Sequence, residues 1–127
     1  MKVTTGVDII EVQRIKEAIS ELGDSFLSRI YTEEEIHYCR KSDKMQYQHF
    51  AARFAAKEAV FKALSEYIDG REDMLWKEIE VLNGADGRPK INLGKLKKQG
   101  LKELESIDVS ISHIKEYAVA SVVAVFS

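Results

Sequence analysis

Residues 50–64, FAARFAAKEAVFKAL, constrain this chain more than any other stretch. Wound as an α-helix, they set Phe50, Phe54, Phe61 and Leu64 along one broad face. Most of the remaining circumference is alanine and valine: Ala51, Ala52, Ala55, Ala56, Ala59, Val60 and Ala63. A helix that is apolar nearly all round belongs inside a protein. Four charges interrupt it: Arg53, Lys57, Glu58 and Lys62. A buried charge is costly unless it is paired or binds something. Glu58 and Lys62 lie one turn apart, so an acid and a base point the same way. The chemistry is expected there.

A chain of 127 residues with 45% hydrophobic content suggests a single domain, residues 1–127, able to bury an ordinary core. The net charge of -2 argues against a broad electrostatic grip on nucleic acid. It leaves room for a local basic patch that meets a phosphorylated small molecule. The one cysteine, Cys39, has no internal disulfide partner, which fits a reducing cytoplasm. The start is charged and strand-like, so no signal peptide is expected. The longest apolar run, residues 117–126, is too short for a membrane helix.

Residues 3–10 read as a strand. Val12, Ile15, Ile19 and Leu22 then recur at helical spacing, and Gly23 stops that helix. A short second helix from Asp24 or Ser25 reaches Ile30. Thr32 with Glu35 forms a capping-box pattern for a third, which frays around residues 41–44. Past the central helix come a polar segment, residues 65–73, and a strand at 76–82. Asn83-Gly84 and Asp86-Gly87 mark a hairpin turn to a strand at 89–92. A short helix is predicted near 94–99. In residues 107–113 apolar positions alternate with polar ones, as in a half-buried strand. Residues 114–116 are short enough for a hairpin loop, so the strand at 117–126 returns antiparallel. This order predicts an α+β fold: a mainly antiparallel sheet packed around a long central helix.

Asp8 sits between Val7 and Ile9, and Glu58 sits on the apolar helix, so both acids need partners. Two carboxylates meeting from separate segments suit a hard cation. Mg²⁺ takes one or two carboxylates and fills its other positions with water and phosphate oxygens. The plainer alternative has Asp8 capping a helix and Glu58 pairing with Lys62. Lys62 is placed to neutralise a phosphoryl group. Arg53 and Lys57 share another side of the helix, within reach of a second phosphate or of ordinary surface salt bridges; surface pairing is the expectation for Lys57. His113 ends a strand, either as a satisfied edge residue or as a functional one. Ser110 and Ser112 lie on the opposite face, with no base to make either a nucleophile. Cys39 and His37 lack the spacing of a metal site. The Gly84–Gly87 loop is no P-loop, yet a glycine turn beside Arg88 lets backbone approach a phosphate.

Seven segments taken together resemble the bacterial holo-acyl-carrier-protein synthases, small 4′-phosphopantetheinyl transferases. They are GVDIIEVQRI (6–15), FLSRIYTEEE (26–35), ARFAAKEAVFKAL (52–64), WKEIEV (76–81), GRPKI (87–91), VSISH (109–113) and YAVASVV (117–123). The resemblance implies the 4′-phosphopantetheinyl transferase fold and a reaction of fatty acid biosynthesis. The phosphopantetheine arm of coenzyme A moves to a serine of apo acyl carrier protein, releasing adenosine 3′,5′-bisphosphate. That nucleophile belongs to the partner. By resemblance Asp8 and Glu58 hold Mg²⁺, and Lys62 steadies phosphoryl charge. The base is Glu58 or a metal-bound water. Arg53, Gly87, Arg88, Pro89 and His113 line the nucleotide end of the coenzyme A pocket, with Lys44 as a further phosphate contact. Arg14 meets the acidic carrier protein. Homotrimers with the pocket between neighbours are implied, and neither nucleic acid nor a membrane is a partner.

Two departures stand out. Ser65-Glu66-Tyr67 follows the helix where the family often has Gly-Thr-Gly, and Glu17, Glu21 and Asp24 leave Arg14 isolated on its helix. Two rival readings remain from residues alone: another magnesium-dependent phosphotransferase or nucleotide hydrolase, and a non-catalytic module that binds coenzyme A or carrier protein.

Overall fold

The structure, a computed structural model, describes residues 1–68 and 75–127. Along the described chain run β1 (Lys2–Glu11), α1 (Val12–Leu22), α2 (Asp24–Ile30), α3 (Glu33–Cys39) and α4 (Gln46–Leu64). A 3₁₀ turn (Trp76–Glu78), β2 (Glu80–Asn83), β3 (Pro89–Asn92), α5 (Lys95–Gln99), β4 (Leu104–His113) and β5 (Tyr117–Phe126) follow. An antiparallel sheet of order β1-β5-β4 and a separate β2-β3 hairpin hold the strands. This is the expected α+β arrangement, with α4 at its centre.

Small residues set the distance between helix and sheet. The inward positions of β5 are Ala118, Ala120, Val122, Ala124 and Phe126, all essentially inaccessible. The alanines share buried clusters with the helix's own alanines, among them Ala52, Ala55, Ala56 and Ala59. Gly6 on β1 lies directly under α4. A methyl group there would overlap the Ala59 carbonyl oxygen and crowd the Ala63 amide nitrogen. Alanine facing alanine and glycine leaves the helix axis unusually low over the strands. The alanine-rich side thus faces the sheet, while Phe54 and Phe61 are only half-buried. Phe54 stacks on Trp76, centroids 5.0 Å apart.

Local signals act as read. Gly23, at φ 57°, ends α1, and its amide caps the Ile19 carbonyl. Thr32 and Glu35 form the reciprocal capping box of α3. The β4–β5 connection closes with the Ile114 amide on the Tyr117 carbonyl at 2.8 Å. One element differs. Residues 76–82, expected as a strand, begin as the 3₁₀ turn, and pairing starts only at Glu80. The Trp76 and Ile79 carbonyls are taken by the Lys57 ammonium, at 2.8 and 2.6 Å. Carbonyls bound to a side chain are lost to a ladder, so tertiary contact overrides strand propensity here. The central helix also starts one turn earlier than read. Residues 69–73 of the expected polar segment lie outside the described residues. No described helix is long and apolar enough to cross a membrane.

The tight crossing at Gly6 makes a clear prediction. Gly6→Ala is expected to destabilise the fold by about 1–3 kcal/mol, the usual range for overpacking. A urea midpoint equal to that of the parent protein contradicts it.

Candidate active site

Helix α4 presents its charges on two flanks. At about 100° per residue, Lys57 lies roughly 40° round from Arg53, while Glu58 and Lys62 lie roughly 140° and 180° round. Arg53 and Lys57 face the β2–β3 hairpin; Lys62 faces β1.

On the β1 flank, Lys62 Nζ donates to Asp8 Oδ1 at 3.2 Å and to the Val7 carbonyl at 2.9 Å. Asp8 therefore does not cap α1, whose N-cap is Glu11. Lys62, read from sequence alongside Glu58, reaches across to the strand. β1 runs opposite to α4: Lys2 bonds Glu66 at 2.6 Å, and Gly6 sits under Ala59 and Ala63. Two strand residues advance about 6.6 Å, the length of about 4.4 helical residues. Asp8 thus comes level with the turn that carries Glu58. Glu58 is half-buried there. The Asp8 side chain is 17% exposed and that of Lys62 is 52% exposed. A pair this wet contributes about 0.2–1 kcal/mol, so a ligand can displace it at little cost. Among the described residues no group of three or more His, Cys, Asp or Glu gathers. Asp8 and Glu58 each offer hard carboxylate oxygens, the ligand type that Mg²⁺ draws from protein one or two at a time.

On the other flank a continuous line of contacts joins three of the expected nucleotide-end residues, His113, Arg53 and Gly87. His113 Nδ1 lies 2.8 Å from Gln48 Oε1, and its ring meets His49 edge-on at 5.6 Å. His49 lies 5.4 Å from Tyr38, and the Arg53 guanidinium sits 4.0 Å above the Tyr38 ring. Arg53 Nη2 donates to Asn83 Oδ1 at 2.7 Å, and Asn83 Nδ2 donates to the Gly87 carbonyl at 3.1 Å. Gly87, at φ 82°, makes the turn that presents exposed Arg88 and, next in sequence, Pro89. Arg53 is 5% exposed, and its Nε is buried with no partner among the described residues. Arg88 and Pro89 line a cleft of about 360 Å³ against β4. Exposed Lys44 lines another of about 430 Å³ with Lys16, Tyr47, Lys115 and Gln48, the residue bonded to His113. Within one chain the Arg53–Gly87 contacts and the Asp8–Lys62 group stay on opposite flanks of α4. Arg14 is exposed on α1.

Lys57 corrects an expectation. It is neither a surface salt bridge nor within reach of a phosphate. It is fully buried, 2.8 Å from Glu35 Oε1, in addition to its two carbonyl acceptors. Glu35 Oε1 also accepts from the Thr32 amide, and Oε2 accepts from the Val81 amide at 2.8 Å. Burial pulls the Lys57 amine below its usual value, against the carboxylate of Glu35. In sequence Glu35 reads only as a capping residue and Asn83 only as a turn former; nothing local marks their second roles. Cys39 is buried, and burial pushes its thiol up to about 12, so it is inert.

The chain belongs to the 4′-phosphopantetheinyl transferase superfamily, whose family model matches residues 4–122. A curated holo-[acyl-carrier-protein] synthase of Dehalococcoides mccartyi strain 195 is 47% identical over 122 residues, 94% of this chain and 96% of that protein. Among solved structures, the ACPS–CoA complex of Chronobacterium ammoniagenes superposes with a TM-score of 0.83 at 28% identity, covering 100% of this chain and 99% of that one. The Bacillus anthracis holo-(acyl-carrier-protein) synthase in complex with CoA (3′,5′-ADP) gives 0.77 at 34% identity, covering 98% and 96%.

His49 supplies a pH test. Burial, then His113 and Arg53, hold its imidazole below the ordinary 6.5, with Tyr38 on its other side. The unfolded chain therefore binds more protons there, so stability is complete above 6.5 and declines as pH falls through 6.5 toward the folded value. Between about pH 7.5 and about pH 5.5 the urea midpoint is expected to drop further in the parent protein than in His49→Phe. Parallel profiles contradict this.

Proposed function

We propose that this chain is a holo-acyl-carrier-protein synthase. It moves the 4′-phosphopantetheine arm of coenzyme A onto a serine of apo acyl carrier protein. The serine oxygen bonds to the phosphorus of the arm, the P–O bond to the nucleotide breaks, and adenosine 3′,5′-bisphosphate leaves. The observation that carries the reading is the Lys62 ammonium over Asp8, one helical turn from Glu58. Pure binding has no need of a displaceable lysine beside two acids. The family and its relatives' names weigh against a nucleotide hydrolase.

Asp8 and Glu58 would hold Mg²⁺, which when bound supplies positive charge against the pyrophosphate. Lys62, half-exposed, swings from Asp8 to the transferring phosphoryl group and neutralises its charge. Glu58 is the side chain nearest in role to a proton acceptor for the serine hydroxyl. Arg53, with a buried unpaired Nε, Arg88 at its glycine turn, Pro89, Lys44 and His113 form the nucleotide end. Arg14 offers its charge to the acidic carrier, so docking weakens with salt.

Assembly as a homotrimer goes with this reading. The outward side of β1 and β5 carries Val3, Val7, Ile9, Tyr117 and Val123; Val7 is 60% and Ile9 65% exposed. A contiguous apolar sheet face is commonly covered by protein. The opposite flanks of α4 would then meet between neighbouring copies. A cytoplasmic setting suits the free Cys39.

Mass spectrometry of apo carrier protein incubated with this protein, coenzyme A and Mg²⁺ is expected to show the mass of the arm. Asp8→Ala and Glu58→Ala are expected to lower kcat by about 10²-fold or more while remaining folded. Arg14→Glu raises KM for the carrier and leaves KM for coenzyme A. Near-normal turnover in either acid variant removes the metal assignment; an unmodified carrier with the parent protein removes the function. Sedimentation equilibrium is expected to give the mass of three chains, and Val7→Lys with Ile9→Lys to give one. A monomeric parent protein rejects the assembly.

A further inference from the structure

The β2–β3 hairpin meets the core through Val81 and, partly, Ile91. Its strands have four residues each, and it pairs with no other strand in either sheet. A lone two-stranded ribbon is marginal in water. Yet its turn carries Gly87, Arg88 and Pro89. Beyond that apolar contact, two side chains one turn apart on the same flank of α4 hold it by directional bonds. At the tip, Arg53 holds Asn83, which holds the Gly87 carbonyl. At the base, Lys57 donates to the Trp76 and Ile79 carbonyls and to Glu35, whose other oxygen accepts from the Val81 amide. The base clamp is wholly buried and uses charge where apolar packing would fill the same space. Directional bonds to the carbonyl that opens the 3₁₀ turn and the one that follows it fix position as greasy contact does not.

We propose that Lys57 and Glu35 are a positioning pair for coenzyme A: they set where the Gly87–Pro89 turn and Arg53 stand, without touching substrate. This rests on the coenzyme A reading of that turn. A pair that only stabilises the fold would, when removed, lower the active fraction and leave both KM values alone. A positioning pair raises KM for coenzyme A selectively.

The test is the balanced double variant Lys57→Met with Glu35→Gln, which leaves no buried charge unpaired. Coenzyme A affinity is measured by titration calorimetry, both KM values by carrier modification, and folding by urea titration. The expected result is a cooperative transition, a coenzyme A KM and Kd weakened by roughly ten- to hundredfold, and an unmoved KM for carrier. Unchanged coenzyme A constants, a loss in kcat alone, or equal rises in both KM values overturn the proposal. Should the double variant not fold, Glu35→Asp decides. It keeps the charge and withdraws it by one methylene, and the same selective weakening is expected; constants equal to the parent's overturn the proposal. If the parent protein leaves the carrier unmodified, the functional reading falls separately, and calorimetric affinity alone decides on the clamp.

Discussion

The low crossing of α4 over β1 at Gly6 is the constraint on which the rest depends. Alanines on the helix and on β5 let backbone approach backbone. That closeness brings side chains on the helix flank over the neighbouring strand, so a lysine on α4 spans to an aspartate on β1. Larger residues at the contact would lift the helix and open the gap between those groups. The alanines, unremarkable as chemistry, thus set the spacing between those groups.

Two lysines on this helix show how surroundings decide what a residue type does. Lys62 is half in water, and its bond to Asp8 is cheap to exchange. Lys57 is sealed, with three oxygen partners within 2.8 Å. Breaking one side of such a buried pair costs about 3–5 kcal/mol, because the remaining charge has no water to turn to. The first lysine is free to meet a ligand; the second belongs to the frame. Arg53 stands between them in character, buried and held by Asn83, yet with one donor unused.

What was legible in the sequence was what is local. Period-two alternation located β4, Gly23 stopped α1, and Thr32 with Glu35 opened α3, since each rests on residues within one turn or one strand. The helical net also separated Arg53 and Lys57 from Glu58 and Lys62. It could not say what covers each flank. Lys62 read beside Glu58 because they are neighbours on a helix; its bonds go to β1, more than fifty positions earlier in the chain. Residues 76–82 have strand composition, but the carbonyls that a ladder would need are held by Lys57. The family resemblance named Asp8, Arg53 and His113 as site residues. The ring contacts through Tyr38 and His49 that connect the latter two emerge only in three dimensions.

The pairing of β1 with β5 has a consequence for biosynthesis. Lys2 lies opposite Phe126, and Asp8 opposite Ala120, so β1 waits for a strand more than a hundred positions later in the chain. On the ribosome α1 to α4 can coil early, since their hydrogen bonds are internal. The aspartate cannot be seated until β5 emerges. Until then β1 has no ladder partner, and its Val3, Val7 and Ile9 side chains stay open to aggregation.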